Sequence, residues 1–208
     1  MSAEGRTLSD PRAGPPRGFS LPEVLASLAI LGILITVSAP LVAETVARER
    51  LLSAGWETAL LMRALRQRSV TERAGFGLRF VRSGGSWSYS LYRDGNGNGI
   101  RTADILAGKD PLLRGPEAPA DHHEGIRIGL PEAAIPQIPP AAGSIPDPSD
   151  PVKFSGTDIV SFSPSGSISG GTLYLTDGTR VMAVVVYGPT GRIRAFHFSP
   201  GGGWRQAP

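Results

Sequence analysis

The sequence predicts an α+β fold, in which a long N-terminal helix packs on a small antiparallel β-rich head. Three observations predict it. Residues 25–42 (LASLAILGILITVSAPLV) run for eighteen residues without a charge. Residues 43–70 carry on with Ala, Leu, Arg and Glu, with no Pro and one Gly, all favourable to helix. After Gly75 the pattern changes to short runs of β-branched and aromatic residues separated by turn chemistry.

Composition bounds the rest. With 208 residues, 40% hydrophobic and 19% charged, the chain can bury one modest core and carry appendages, but not two large domains. Zero cysteines exclude a disulfide scaffold, a thiolate metal site and a cysteine nucleophile, and leave the redox compartment open. Of the 21 basic residues only Lys109 and Lys153 are lysine, and the formal net charge is +3. Such a mild basic bias does not by itself specify a nucleic-acid partner. The 27 glycines and 19 prolines make the chain turn-rich without a disordered composition.

The apolar run is long enough to span a bilayer. In front of it, Arg6, Arg12 and Arg17 outnumber Glu4 and Asp10, which predicts a cytoplasmic N-terminus and a head outside. An ordinary secretory signal would end its apolar run at a small-residue cleavage site, and Val37-Ser38-Ala39 has that form. The order of features argues otherwise, because Gly18 and then Phe19-Ser-Leu-Pro-Glu23 precede the run. A cut after Gly18 would leave the helix in the product. Glu23 is the only ionisable group from Phe19 to Val42, and a carboxylate in an apolar helix needs a partner. Cleavage at Gly18/Phe19 would create an amine one turn away, and a neighbouring copy of the helix, staggered by about a turn, could pair its terminus with Glu23.

The stretch GFSLPEVLASLAILGI, residues 18–33, resembles the class III signal of type IV pilins and type II secretion pseudopilins. It has the Gly before the cut, the aromatic after it, the Glu at the fifth position of the product and the long helix beyond. The resemblance implies cleavage after Gly18 by a prepilin peptidase that also N-methylates Phe19, and assembly of a filament through the helix with Glu23 as intersubunit counter-charge. Pro40 also falls where such proteins commonly carry proline, and it permits a kink. The expected organisation is a leader over 1–18, a transmembrane and assembly segment over 19–43, an amphipathic continuation over 44–75 and a head over 76–208.

In the continuation, Leu52, Trp56 and Leu60, and Leu61 and Leu65, recur at i, i+4. These predict an apolar face packed on a sheet, with Arg48, Glu49, Arg63 and Arg66 in water. From Phe19 to Val70 a helix would measure about 80 Å.

Strands are expected at Leu78–Val81, Trp87–Tyr92, Ile126–Leu130, Ile159–Ser163, Thr172–Thr176, Val181–Tyr187 and Ile193–Phe198, forming a small sandwich. Val181–Tyr187 is the most apolar and should be central, whereas Trp87–Tyr92 should be half exposed. Ten of the 41 residues over 111–151 are Pro, so this insertion reads as loop, either a binding surface or an inert addition. The runs IVSFSPSG (159–166), GTLYLT (171–176) and VVVYGPTGRIR (184–194), with the turn DGNGNG (94–99), resemble the GspH/FimT subfamily.

Three clusters are candidate sites. Asp94, Asn96 and Asn98, with Gly99, have the first half of an EF-hand calcium loop, but position twelve is Ile105 and the nearest acid is Asp104. Asp-Gly and Asn-Gly pairs are equally the chemistry of an ion-free turn. His122 and His123, beside Asp121 and Glu124, are adjacent, and adjacent side chains rarely converge on one metal ion. Arg192, Arg194, Trp204 and Arg205, with the glycine run at 201–203, could contact phosphates and stack on bases. Some FimT-like minor pilins resemble this in binding DNA through the C-terminal region.

No GxSxG elbow or other organised nucleophile appears. The expectation is a non-enzymatic minor pilin or pseudopilin without cofactor, placed at or near a filament tip. Expected partners are other pilins, the peptidase, an inner-membrane assembly platform and the membrane. The alternative is a DNA-binding minor pilin of an uptake machine.

Overall fold

A computed structural model describes residues 18–207. The leader segment before Gly18, with its charges, lies outside the described residues. Helix α1 runs from Leu21 to Glu72 with Pro40 inside it. The described chain divides into two units, one ending at Ala43 and the other running from Glu44.

In the first unit the apolar side chains lie exposed, from Leu25 at 58% to Val42 at 60%. The polar atoms are dealt with locally. Ser27, Thr36 and Ser38 each donate a hydroxyl to the carbonyl four residues earlier, at 2.8 Å. A hydroxyl bonded in this way leaves no donor unmet in an apolar surrounding.

The second unit holds an α+β head in which the 44–72 part of α1 packs on two antiparallel sheets. One sheet contains β1 (Phe76–Ser83), β2 (Ser86–Arg93), β3 (Leu112–Glu117) and β6 (Ile159–Phe162), in the order β3-β2-β1-β6. The other contains β4 (Arg127–Ile128), β5 (Val152–Phe154), β7 (Gly171–Thr176), β8 (Val181–Tyr187), β9 (Arg192–Ser199) and β10 (Gly203–Gln206). Its order is β10-β9-β8-β7-β4, with β5 also paired to β7. A short helix α2, Thr102–Leu106, precedes β3.

One core joins α1 to both sheets, and Phe80 of β1 stacks on Phe154 of β5 at 5.9 Å. The centre of the helix face that enters it consists of Leu51, Ala54, Gly55, Ala59, Met62, Leu65 and Ser69, smaller residues than the expected leucine stripe, while Leu52, Trp56 and Leu61 of that stripe pack half-buried along its edge. Leu60 points away and is 56% exposed. Small residues let the helix backbone come close to β8, where the thioether of Met182 fills the space that a Cβ on Gly55 would need.

Arg63 and Arg66, expected in water, are instead half-buried. Arg63 donates to the Ile193 carbonyl at 2.8 Å, and Arg66 to the Gly166 carbonyl at 3.1 Å. Ser69, fully buried, donates to the carbonyls of Arg66 and Ser163.

All seven expected strands are present, although the one at Ile126–Leu130 shrinks to Arg127–Ile128. β8 is central, as its composition requires, and the Trp87–Tyr92 strand is half exposed. The Pro-rich segment is not a bare loop. Its residues 135–145 fold back on themselves through Ile145 N–H to Ile135 O (2.9 Å) and Gln137 N–H to Gly143 O (2.8 Å). Ile135 and Ile145 then pack with Tyr174, Val181 and Ala183 in a second small core on the face of β7 and β8 opposite Leu173, Met182 and Val184. The β8 run is therefore apolar on consecutive residues because both of its faces are covered.

Candidate functional site

Gly18 and Phe19 lie ahead of the helix. The Ser20 carbonyl accepts the N–H groups of Glu23 (3.0 Å) and Val24 (3.1 Å), which starts the first turn. Ser20 and Glu23 stand at the S-x-x-E spacing of a helix start, a signal in the sequence that marks this boundary. Glu23 is therefore the acidic residue of the first turn, where its charge suits the helix dipole.

Phe19 is 82% exposed, and among the described residues beyond its chain neighbours no atom lies within 4 Å of where a Cβ on Gly18 would sit. The described part of the fold offers no steric reason for glycine there. A glycine requirement at this position would have to come from whatever acts on the peptide.

The Asp94 loop turns its acids inward. Asp94 accepts backbone N–H groups from Asn96 (3.1 Å), Gly97 (2.7 Å) and Gly99 (2.7 Å). Asp110, buried, accepts those of Gly95 and Arg101. The Asn98 side-chain amide donates to Asp104 at 3.0 Å, and Lys109 lies 3.5 Å from the other oxygen. Hydrogen bonding from Asn98 chiefly holds the Asp104 carboxyl below the usual carboxylate range; Asn96 and Lys109 add to this and partial desolvation opposes it. Asp94, Asn96, Asn98 and Asp104 thus form one self-bonded loop. Among the described residues no group of three or more His, Cys, Asp or Glu side chains is arranged to hold a metal ion.

The two adjacent histidines diverge. His123 Nε2 lies 2.7 Å from Glu57 of α1, whereas His122 sits 4.0 Å from Glu117. They border an open cleft of about 300 Å³ with Leu60, Leu61, Tyr89 and Arg114. Glu117 accepts from Arg114 (2.8 Å) and the Tyr89 hydroxyl (3.3 Å), and burial, then the Glu117 charge, raises the Tyr89 phenol. Glu57, the carboxylate lining this cleft, is paired with His123.

The four C-terminal candidates are not brought to one surface. Arg192 and Arg194 pair with Tyr187 and Val185, which puts them on the outer face of β9. Arg205 pairs with His197 and so projects from the opposite face. Trp204 stands opposite Phe198; its ring packs on Phe198 (5.5 Å) and Tyr174 (6.3 Å), and its indole N–H donates to the Pro136 carbonyl at 2.7 Å. The ring serves the second small core. The glycines before it form the β9–β10 turn, closed by Gly202 N–H to Ser199 O at 3.0 Å.

Comparison with known proteins bears on the N-terminal constellation alone. Residues 16–39 match the model of the prokaryotic N-terminal methylation motif. No curated protein and no solved structure matches the chain. The motif is the prepilin signal of type IV pilins. Together with the exposed apolar helix it supports a type IV pilin-like subunit, structural in role, anchored by that helix and interacting with a prepilin peptidase and other pilins.

Proposed function

We propose that this chain is a minor pilin or pseudopilin of the GspH/FimT kind. It is cleaved after Gly18, N-methylated at Phe19 and assembled through residues 19–43 into a type II secretion pseudopilus or a type IV pilus, at or near the tip. Before assembly it stays in the inner membrane with a cytoplasmic N-terminus, and an inner-membrane platform draws it into the filament.

The observation that carries this reading is the match over residues 16–39, within which the described part of the fold gives no steric reason for glycine at Gly18. A helical segment, residues 21–43, whose hydroxyls are internally bonded and whose one ionisable side chain is Glu23 suits both lipid and a bundle of like helices. The new amine at Phe19 would meet Glu23 of a neighbour across a stagger of about one turn.

Intact mass of the chain purified from membranes tests processing. Loss of residues 1–18 plus one added methyl group is expected, and Gly18→Ala should retain the full-length mass. Glu23→Ala should be processed yet poorly incorporated into sheared filaments; full incorporation would refute the pairing. A deletion strain scored for protein secretion, surface pili and transformation then separates the machines.

A further inference from the structure

The cluster formed by Arg48, His197 and Arg205 is not used by the reading above. Arg205 and His197 are a cross-strand pair on the α1-facing side of β10 and β9. Arg48 lies on α1 between Glu44, which bonds Arg180, and Gly55, which meets Met182, the cross-strand partner of His197, so the helix carries it past this end of β8 and β9. Among the described residues, neither guanidinium group has an ion pair or a side-chain hydrogen bond. The carboxylate one turn before Arg48, Glu44, is taken at 2.9 Å by Arg180, which also bonds Asp177.

The imidazole adds to the picture. Its Nδ1 is buried without a hydrogen-bond partner. A proton there would be a buried, unmet donor, so the neutral ring carries its proton on Nε2. Two guanidinium groups and the ring Nε2–H are therefore the donors of this cluster, and its one acceptor, the buried Nδ1, lies on the other edge of the imidazole, so the donor set suits a phosphate.

Where this cluster lies in the chain decides the phosphate's source. Arg48 lies six positions after Val42, the end of the uncharged run. Whatever the conformation between them, that span cannot exceed about 20 Å, which keeps Arg48 within reach of the lipid headgroups if residues 25–42 occupy the bilayer. We propose that Arg48, Arg205 and His197 form a binding site for the phosphate of an anionic phospholipid headgroup, which holds the head at the membrane surface before assembly. The proposal rests on the membrane-anchored reading given above.

The full chain, reconstituted in nanodiscs of phosphatidylcholine with or without phosphatidylglycerol, tests it. Failure to enter either bilayer would refute the anchored reading itself. Given insertion, phosphatidylglycerol recovered with the chain should exceed its share of the lipid supplied. Each arginine contributes roughly a five-fold preference, so Arg48→Gln/Arg205→Gln should lose about thirty-fold. The charge-matched control Arg82→Gln/Arg101→Gln should retain the preference. The His197 ring resonances, assigned with His197→Gln, should move on adding phosphatidylglycerol and not on adding inorganic phosphate or duplex DNA to neutral discs. Equal lipid recovery for the variant and the control, or a response to free phosphate or duplex instead, would overturn the proposal.

Discussion

Gly55 of α1 and Met182 of β8 occupy one space: the Met182 thioether sits where a side chain on Gly55 would begin. Met182 is fully buried, so it has no open direction in which to retreat. Gly55→Ala should destabilise the head by about 1–3 kcal/mol through overpacking. Chemical denaturation of the double variant Gly55→Ala/Met182→Ala should show less than the sum of the two single losses, since each relieves the other's defect. Strict additivity would mean the two do not compete.

Trp204→Phe keeps the ring packing on Tyr174 and Phe198 but removes the N–H that the Pro136 carbonyl accepts. It should cost about 0.5–1.5 kcal/mol. Limited proteolysis should show faster cutting within 131–146, because that segment loses a tie to the sheet. An unchanged cleavage rate would mean the indole bond does not hold the segment down.

Asp94→Ala removes the acceptor for three backbone N–H groups and should destabilise the 94–110 loop by about 1–3 kcal/mol. Thermal unfolding of the wild-type chain should be the same with excess EDTA as with millimolar calcium. A melting temperature raised by calcium, and not raised in Asp94→Ala, would assign an ion to the loop.

Burial, with Arg48 and Arg205 adding, lowers the pKa of His197 below its ordinary value. In the unfolded chain it returns to about 6.5. A folded pKa below the unfolded one means that the unfolded chain binds the extra proton first. The stabilisation is thus complete above about pH 6.5 and lost as pH falls through the folded value. The melting temperature should therefore drop between pH 7.5 and 5.5, and His197→Gln should flatten that drop. Asp177 works by the same rule at lower pH. Despite partial desolvation, hydrogen bonds from Arg180 and Thr179 hold it low, so its contribution is present above about pH 4 and lost on further acidification.

The N-terminal segment and β8 were legible because each follows one dominant physical demand. An eighteen-residue uncharged run has few alternatives to a long apolar helix, and VMAVVVY has few alternatives to a central strand. The contact face of α1 was legible only at Leu52, Trp56, Leu61 and Leu65. Its close approach depends on Ala54, Gly55 and Ala59, and small residues give almost no hydrophobic signal in a periodicity. The roles of Arg63 and Arg66 depend on carbonyls at Ile193 and Gly166, about a hundred residues away, which no local pattern encodes. β3, β5 and β10 were missed because they are short and sit beside Pro or Gly, and their pairing is decided by neighbours rather than by propensity. In the candidate sites, residue types were legible but faces were not. A hairpin placed Arg205 opposite Arg192 and Arg194, a register that Pro200 and the glycines after it do not announce.

The back-bonded hydroxyls of Ser27, Thr36 and Ser38 have a bearing on how such a segment could change surroundings. Their donors are already met, so transfer from lipid tails to a sheath of neighbouring helices exchanges one oily medium for another at almost no polar cost. The side chain left with a stake in the exchange is Glu23. Departure from the bilayer would then be decided at one carboxylate, and a partner offering an amine there would act as the latch.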